Sequence, residues 1–69
     1  MRQLLEYHGI EVIITDKYET SAFLGKTKEG KIYKLFINKD HYTFTLIIDK
    51  KTIATRCKIL KAIELIKKN

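Results

Sequence analysis

The sequence predicts an α+β fold, a small antiparallel β-meander of four to five strands with one C-terminal amphipathic helix packed on one face. Three observations carry this reading. Runs of β-branched and aromatic residues are bounded by short polar turns. Pairing those runs through their turns makes one sheet face continuously apolar. The last dozen residues then change to helical spacing. At 69 residues the chain has room for one core, since a domain of this size buries only about 60% of the surface of its unfolded chain. We read residues 1–69 as a single domain.

Residues 2–8 fit one or two helical turns closed by Gly9, which accepts the left-handed conformation that ends a helix, with Leu4 and Leu5 pointing inward. Residues 10–15 (IEVIIT) are rich in β-branched side chains and read as a first strand, turned by Tyr18 and Glu19. Residues 20–26 follow as a second strand. The loop Thr27-Lys28-Glu29-Gly30 uses Gly30 for the positive φ that a short hairpin needs. Residues 31–37 make a third strand, 38–41 a turn, and 42–48 (YTFTLII) the clearest strand in the chain. A turn at 49–51 leads to a short strand at 52–54. Thr55 is placed to cap a helix over 56–67, in which Ile59, Ala62, Ile63 and Ile66 form an apolar stripe and Lys61, Glu64 and Lys68 lie opposite. Lys67 and Lys68 suit the negative end of the helix dipole, whereas Arg56 and Lys58 oppose the positive end.

Closing the 38–41 turn sets Ile37 opposite Tyr42, Leu35 opposite Phe44 and Tyr33 opposite Leu46. Closing 27–30 sets Leu24 opposite Tyr33 and Ala22 opposite Leu35. The expected core is therefore Leu35, Phe44 and Leu46 under Ile59 and Ile63. The other face carries Phe23, Ile32, Lys34, Phe36, Thr43, Thr45 and Ile47, a mixed surface that only the segment around Leu4 and Leu5 is left to cover.

Composition narrows the function. No stretch approaches the roughly 20 apolar residues of a membrane helix, and no secretion signal is visible at the N-terminus, so the expected location is cytoplasmic. One cysteine, Cys57, has no internal disulfide partner and no zinc-type spacing, and reads as a packing residue. His8 and His41 are the only histidines. They and Cys57 do not assemble a nucleophile, base and orienter, so no catalytic residues are assigned and the chain is read as not an enzyme. Asp16 and Glu19 offer too few oxygens for a calcium site, and the glycines match neither nucleotide-binding spacing. No cofactor and no metal are expected.

Charge is the strongest bulk feature. The formal net charge is +6, divided as −2 over residues 1–25 and +8 over residues 26–69. Such a field attracts polyanions and acidic protein surfaces, although lysine is also the ordinary solubilising residue of a small domain. Two readings follow. In the first, the chain is a small binding module whose Phe23, Ile32, Phe36 and Ile47 meet a protein partner or a second copy, as a dimer or an inhibitor does. In the alternative, Lys26, Lys28, Lys31, Lys34, Lys50 and Lys51 hold the phosphates of DNA or RNA while aromatic residues of the sheet stack on bases. Strands followed by a helix are also the plan of small sheet-plus-helix DNA-binding modules at the start of some integrases, a similarity of element order alone. A short, Lys- and Ile-rich chain without proline further suits a phage or an A+T-rich microbe, including small inhibitors that occlude a host enzyme.

Overall fold

The computed structural model describes residues 2–15 and 22–69. The expected turn at Tyr18 and Glu19, the first two residues of the expected second strand, and the carboxylates Asp16 and Glu19 lie outside them. The elements are α1 (Arg2–Tyr7), β1 (Ile14–Thr15), β2 (Ala22–Lys26), β3 (Ile32–Ile37), β4 (Phe44–Ile48), β5 (Lys51–Cys57) and α2 (Ile59–Lys67). The fold is α+β, as the sequence predicts. Four substantial antiparallel strands and the two-residue β1 form an open sheet in the order β1-β2-β3-β4-β5.

The helix α1 closes as its glycine requires. Gly9 sits at φ +77, its amide donates to the Glu6 carbonyl and the Ile10 amide donates to the Leu5 carbonyl. This is a left-handed helix stop in which the buried Ile10 and Leu5 meet on either side of the glycine. Leu5, Ile10 and the α2 residues Ala62, Ile63 and Ile66 join Tyr33, Leu35, Phe44, Leu46 and Ile48 in one buried cluster, with Ile59 packed at its margin. Both helices therefore serve the same core. Of the residues expected to screen the other face, Leu5 is fully buried on the core side.

Two hairpin registers differ from the sequence expectation, and parity decides which difference matters. Across β3 and β4 the pairs are Leu35↔Leu46, Tyr33↔Ile48 and Ile37↔Phe44, two residues away from those expected. The turn is longer than residues 38–41. The Asn38 amide donates to the Thr43 carbonyl, and the Asp40 carboxylate accepts from the amides of Tyr42 and Thr43. Tyr42 is thus a turn residue, 79% exposed, instead of a partner of Ile37. An even shift leaves every side chain on its expected face.

Across β2 and β3 the shift is odd. Phe23 pairs with Leu35 and Gly25 with Tyr33, because the Thr27 amide donates to the Lys31 carbonyl and only Lys28-Glu29-Gly30 form the loop. Gly30 at φ +84 occupies the left-handed position of a three-residue hairpin loop. That single residue reverses the faces of β2. Phe23 enters the core at 1% exposure and Leu24 takes its place outside.

The C-terminal third is corrected as well. β5 runs over Lys51–Cys57, longer than the expected 52–54, and α2 begins at Ile59. Lys58, not Thr55, is the residue before the helix, with extended backbone and no side-chain cap. Arg56 and Cys57 are strand residues. Two irregularities between Phe44↔Cys57 and Ile47↔Thr52 insert extra residues into β5, which twists this edge away from further pairing. One of them leaves the Thr55 carbonyl to a side chain, and Asn38 Nδ2 donates to it at 2.8 Å.

Candidate binding surfaces

The uncovered sheet face is assembled by register. Leu24, Lys34 and Ile47 form a row across β2, β3 and β4, because Leu24 pairs with Lys34 and Lys34 with Ile47. Ala22, Phe36 and Thr45 form a second row, and Lys26 beside Ile32 begins a third. Ile32 and Phe36 are 38% and 37% exposed, while Leu24 and Ile47 are half-buried. No helix among the described residues covers these side chains. Lys34 projects from the middle of the apolar rows and, among the described residues, has no carboxylate partner. Its aliphatic stem extends the apolar surface and its ammonium marks the centre with charge.

Beside this row lies a hollow of about 180 Å³ lined by Ile32, Lys34, Ile47, Asp49 and Lys50. It is bounded by the two-residue turn between β4 and β5. Asp49 and Lys50 hold φ +54 and +67, the mirror-image turn whose twist matches a hairpin, here without the Asn-Gly that usually makes it. The opposite end of the face is closed by polar groups. The Thr45 hydroxyl lies 2.7 Å from Asn38 Oδ1, and Asn38 Nδ2 donates to Thr43 Oγ1 at 2.9 Å.

Of the four residues assigned to a protein interface, Ile32, Phe36 and Ile47 share this face. Phe23 does not, for the reason of register given above. Leu24 was missed. The signal that identifies it is the spacing of Gly30 from Thr27, which fits a three-residue loop and an odd shift.

Five of the six lysines assigned to nucleic acid gather at one end of the sheet. Lys26, Lys28 and Lys31 surround the β2–β3 turn, and Lys50 and Lys51 occupy the β4–β5 turn. The Asp49 amide donates to the Ile32 carbonyl at 2.8 Å, which brings the two turns side by side. Lys34 stands farther in, on the open face. Lys31 leans away toward the helix, where its ammonium donates to Asn69 Oδ1 at 3.3 Å and lies 3.9 Å from Glu29. The end of α2 therefore joins the same region and adds Lys67, a cation that helix-dipole reasoning alone had explained.

The remaining reactive groups are embedded in packing or turns. The Cys57 thiol donates to the Phe44 carbonyl at 3.5 Å, and burial pushes its pKa up. The Asp40 carboxyl is held below the usual carboxylate range, first by the backbone amides of Tyr42 and Thr43 and then by the Thr43 hydroxyl. Glu64 is lowered by its bond to Lys68 and by the nearby Lys61, at 3.2 and 3.7 Å. Among the described residues no three His, Cys, Asp or Glu side chains converge to hold a metal ion, and no helix is long and apolar enough to cross a membrane. No protein-family model matches the chain, and neither a curated protein nor a solved structure shows significant similarity to it.

Proposed function

We propose that the chain is a non-enzymatic binding module that docks an acidic protein partner on the uncovered face of its sheet. The observation that supports this reading is the cluster of Leu24, Ile32, Phe36 and Ile47 around Lys34 on a face that neither helix covers. Contiguous apolar surface of this kind is characteristic of interfaces. Lys34 selects the partner. An apolar patch centred on a cation, in a chain of net charge +6, favours a surface in which a carboxylate stands among aliphatic or aromatic side chains. A second copy would bring two lysine-centred faces of like charge together, which complementarity disfavours.

The test is capture from a microbial lysate treated with nuclease, with wild type, Phe36→Ser and Ile47→Ser as baits. The expected result is a protein retained by wild type, lost by both variants and resistant to nuclease. A retained species that disappears with nuclease, or that both variants hold as firmly as wild type, overturns the reading. Sedimentation of the isolated chain supplies the second measurement, with a monomer expected.

A further inference from the structure

A second hollow, of about 140 Å³, lies where the end of α1, the β2–β3 turn and the last turn of α2 meet. Lys26, Lys28 and Lys67 line it together with His8, over an apolar floor that includes Ile66. We propose that this hollow is a binding site for a phosphate group.

Three features support a ligand there. First, its three lysines come from the end of β2, the turn that follows it and the end of α2, and no carboxylate lines the hollow. Among the described residues none of the three makes an ion pair. An anion seated in a hollow bordered by several lysines is attracted by each of them. The helix dipole accounts for Lys67, and it does not account for Lys26 and Lys28 bordering the same hollow.

Second, the walls are fixed. Thr27 is buried, and its Oγ1 accepts from the Lys31 amide at 3.1 Å, while Gly30 donates to the Thr27 carbonyl. The Lys31 ammonium ties the turn to Asn69 beyond α2. Gly9 holds the α1 side with two backbone bonds around it. A site of this kind loses little order on binding.

Third, charge and size select the ligand class. Lysine acts on phosphate as a point charge, and three of them match a dianion better than a single carboxylate. The volume exceeds several times what one water needs. The hollow lies where both helices meet the β2–β3 turn, and of its lining residues only Lys26 also belongs to the open face of the sheet.

The experiment is a titration of the isotope-labelled chain with inorganic phosphate at constant low ionic strength, followed by the amide resonances. Saturable shifts concentrated at Gly9, Thr27, Lys28 and Lys67 are expected. Lys28→Gln/Lys67→Gln should weaken binding by about tenfold or more, since each lost charged hydrogen bond carries at least that much. Lys39→Gln/Lys58→Gln removes the same charge elsewhere and should change it by less than about twofold. Unfolding midpoints of both double variants check that the fold is intact.

Adenosine monophosphate and a short single-stranded oligonucleotide distinguish the source of the phosphate. Equal affinity for phosphate and mononucleotide identifies a small ligand. Tighter oligonucleotide binding that depends on Lys28 and Lys67 identifies a nucleic-acid backbone. Shifts spread over all lysine-bearing segments, no saturation, or equal loss in both double variants overturns the site.

Discussion

The ring of Tyr33 lies across Gly25 on the neighbouring strand, and its hydroxyl passes the glycine to donate to the Glu11 carbonyl at 2.8 Å. A methyl group on Gly25 would stand 2.8 Å from Tyr33 Cε2 and 2.9 Å from its hydroxyl, and would overlap the Glu11 carbonyl. A glycine in a strand marks the close approach of another backbone, and an aromatic neighbour fills the space that it leaves. Gly25→Ala is therefore expected to cost about 1–3 kcal/mol or more, because the atom it meets is main chain and has nowhere to move. A denaturant midpoint equal to that of wild type would contradict this packing.

Tyr33 also makes stability depend on pH. Burial, reinforced by the charge of Glu11, pushes its pKa up to about 12 from an ordinary value of 10.0. The folded state thus keeps a proton that the unfolded chain releases. The stabilisation is complete below pH 10 and is lost as pH rises from about 10 through about 12, since the unfolded state then binds fewer protons. A phenolate has no proton to give Glu11. Tyr33→Phe should cost about 1–3 kcal/mol at neutral pH by leaving that carbonyl unpaired, and should flatten the alkaline loss. Urea midpoints at pH 8 and pH 11 for both proteins measure the difference.

The two faces of the sheet should answer differently to truncation. Phe44 is 5% exposed in the cluster shared by β4 and α2, and Phe44→Ala is expected to cost on the order of 3–5 kcal/mol, enough to unfold a domain this small. Phe36 belongs to the uncovered face, and Phe36→Ser should cost about 1–2 kcal/mol while abolishing partner capture. Thermal unfolding beside the capture assay separates the two. A Phe36→Ser protein as unstable as Phe44→Ala would place Phe36 in the core.

Much of this architecture is legible in the sequence, and what is not has physical causes. The α2 stripe, the Gly9 helix stop and the strands around Leu35 and Leu46 follow from periodicity and from one glycine, signals carried within a few residues. The face of Phe23 depends instead on whether the loop before Lys31 holds three residues or four, and one residue inverts the pleat. Thr55 resembles a helix cap locally, but the bulged β5 ladder and the Asn38 bond to its carbonyl hold it in strand, a tertiary override of a local preference. The hollow between α1, the β2–β3 turn and α2 was invisible because its lysines are separated by about forty positions. Only the packed fold brings Lys28 to Lys67.

The last expectation concerns the turn beside the uncovered face. Asp49 and Lys50 both hold positive φ, a conformation that costs a non-glycine residue about 1–2 kcal/mol and that Asn-Gly adopts readily. Lys50→Gly relieves that strain but adds conformational freedom to the unfolded chain, so the net gain is at most about 1 kcal/mol. The same change removes one of the two ammonium groups lining the hollow with Ile32 and Ile47. Strained backbone persists at functional positions, where stability has been given up for geometry. Lys50→Gly should then raise the melting temperature and weaken capture of the acidic partner together, whereas Lys51→Gln, one residue on in the strand, should change neither. A variant that gains stability and binds as well as wild type would show that the turn serves the hairpin alone.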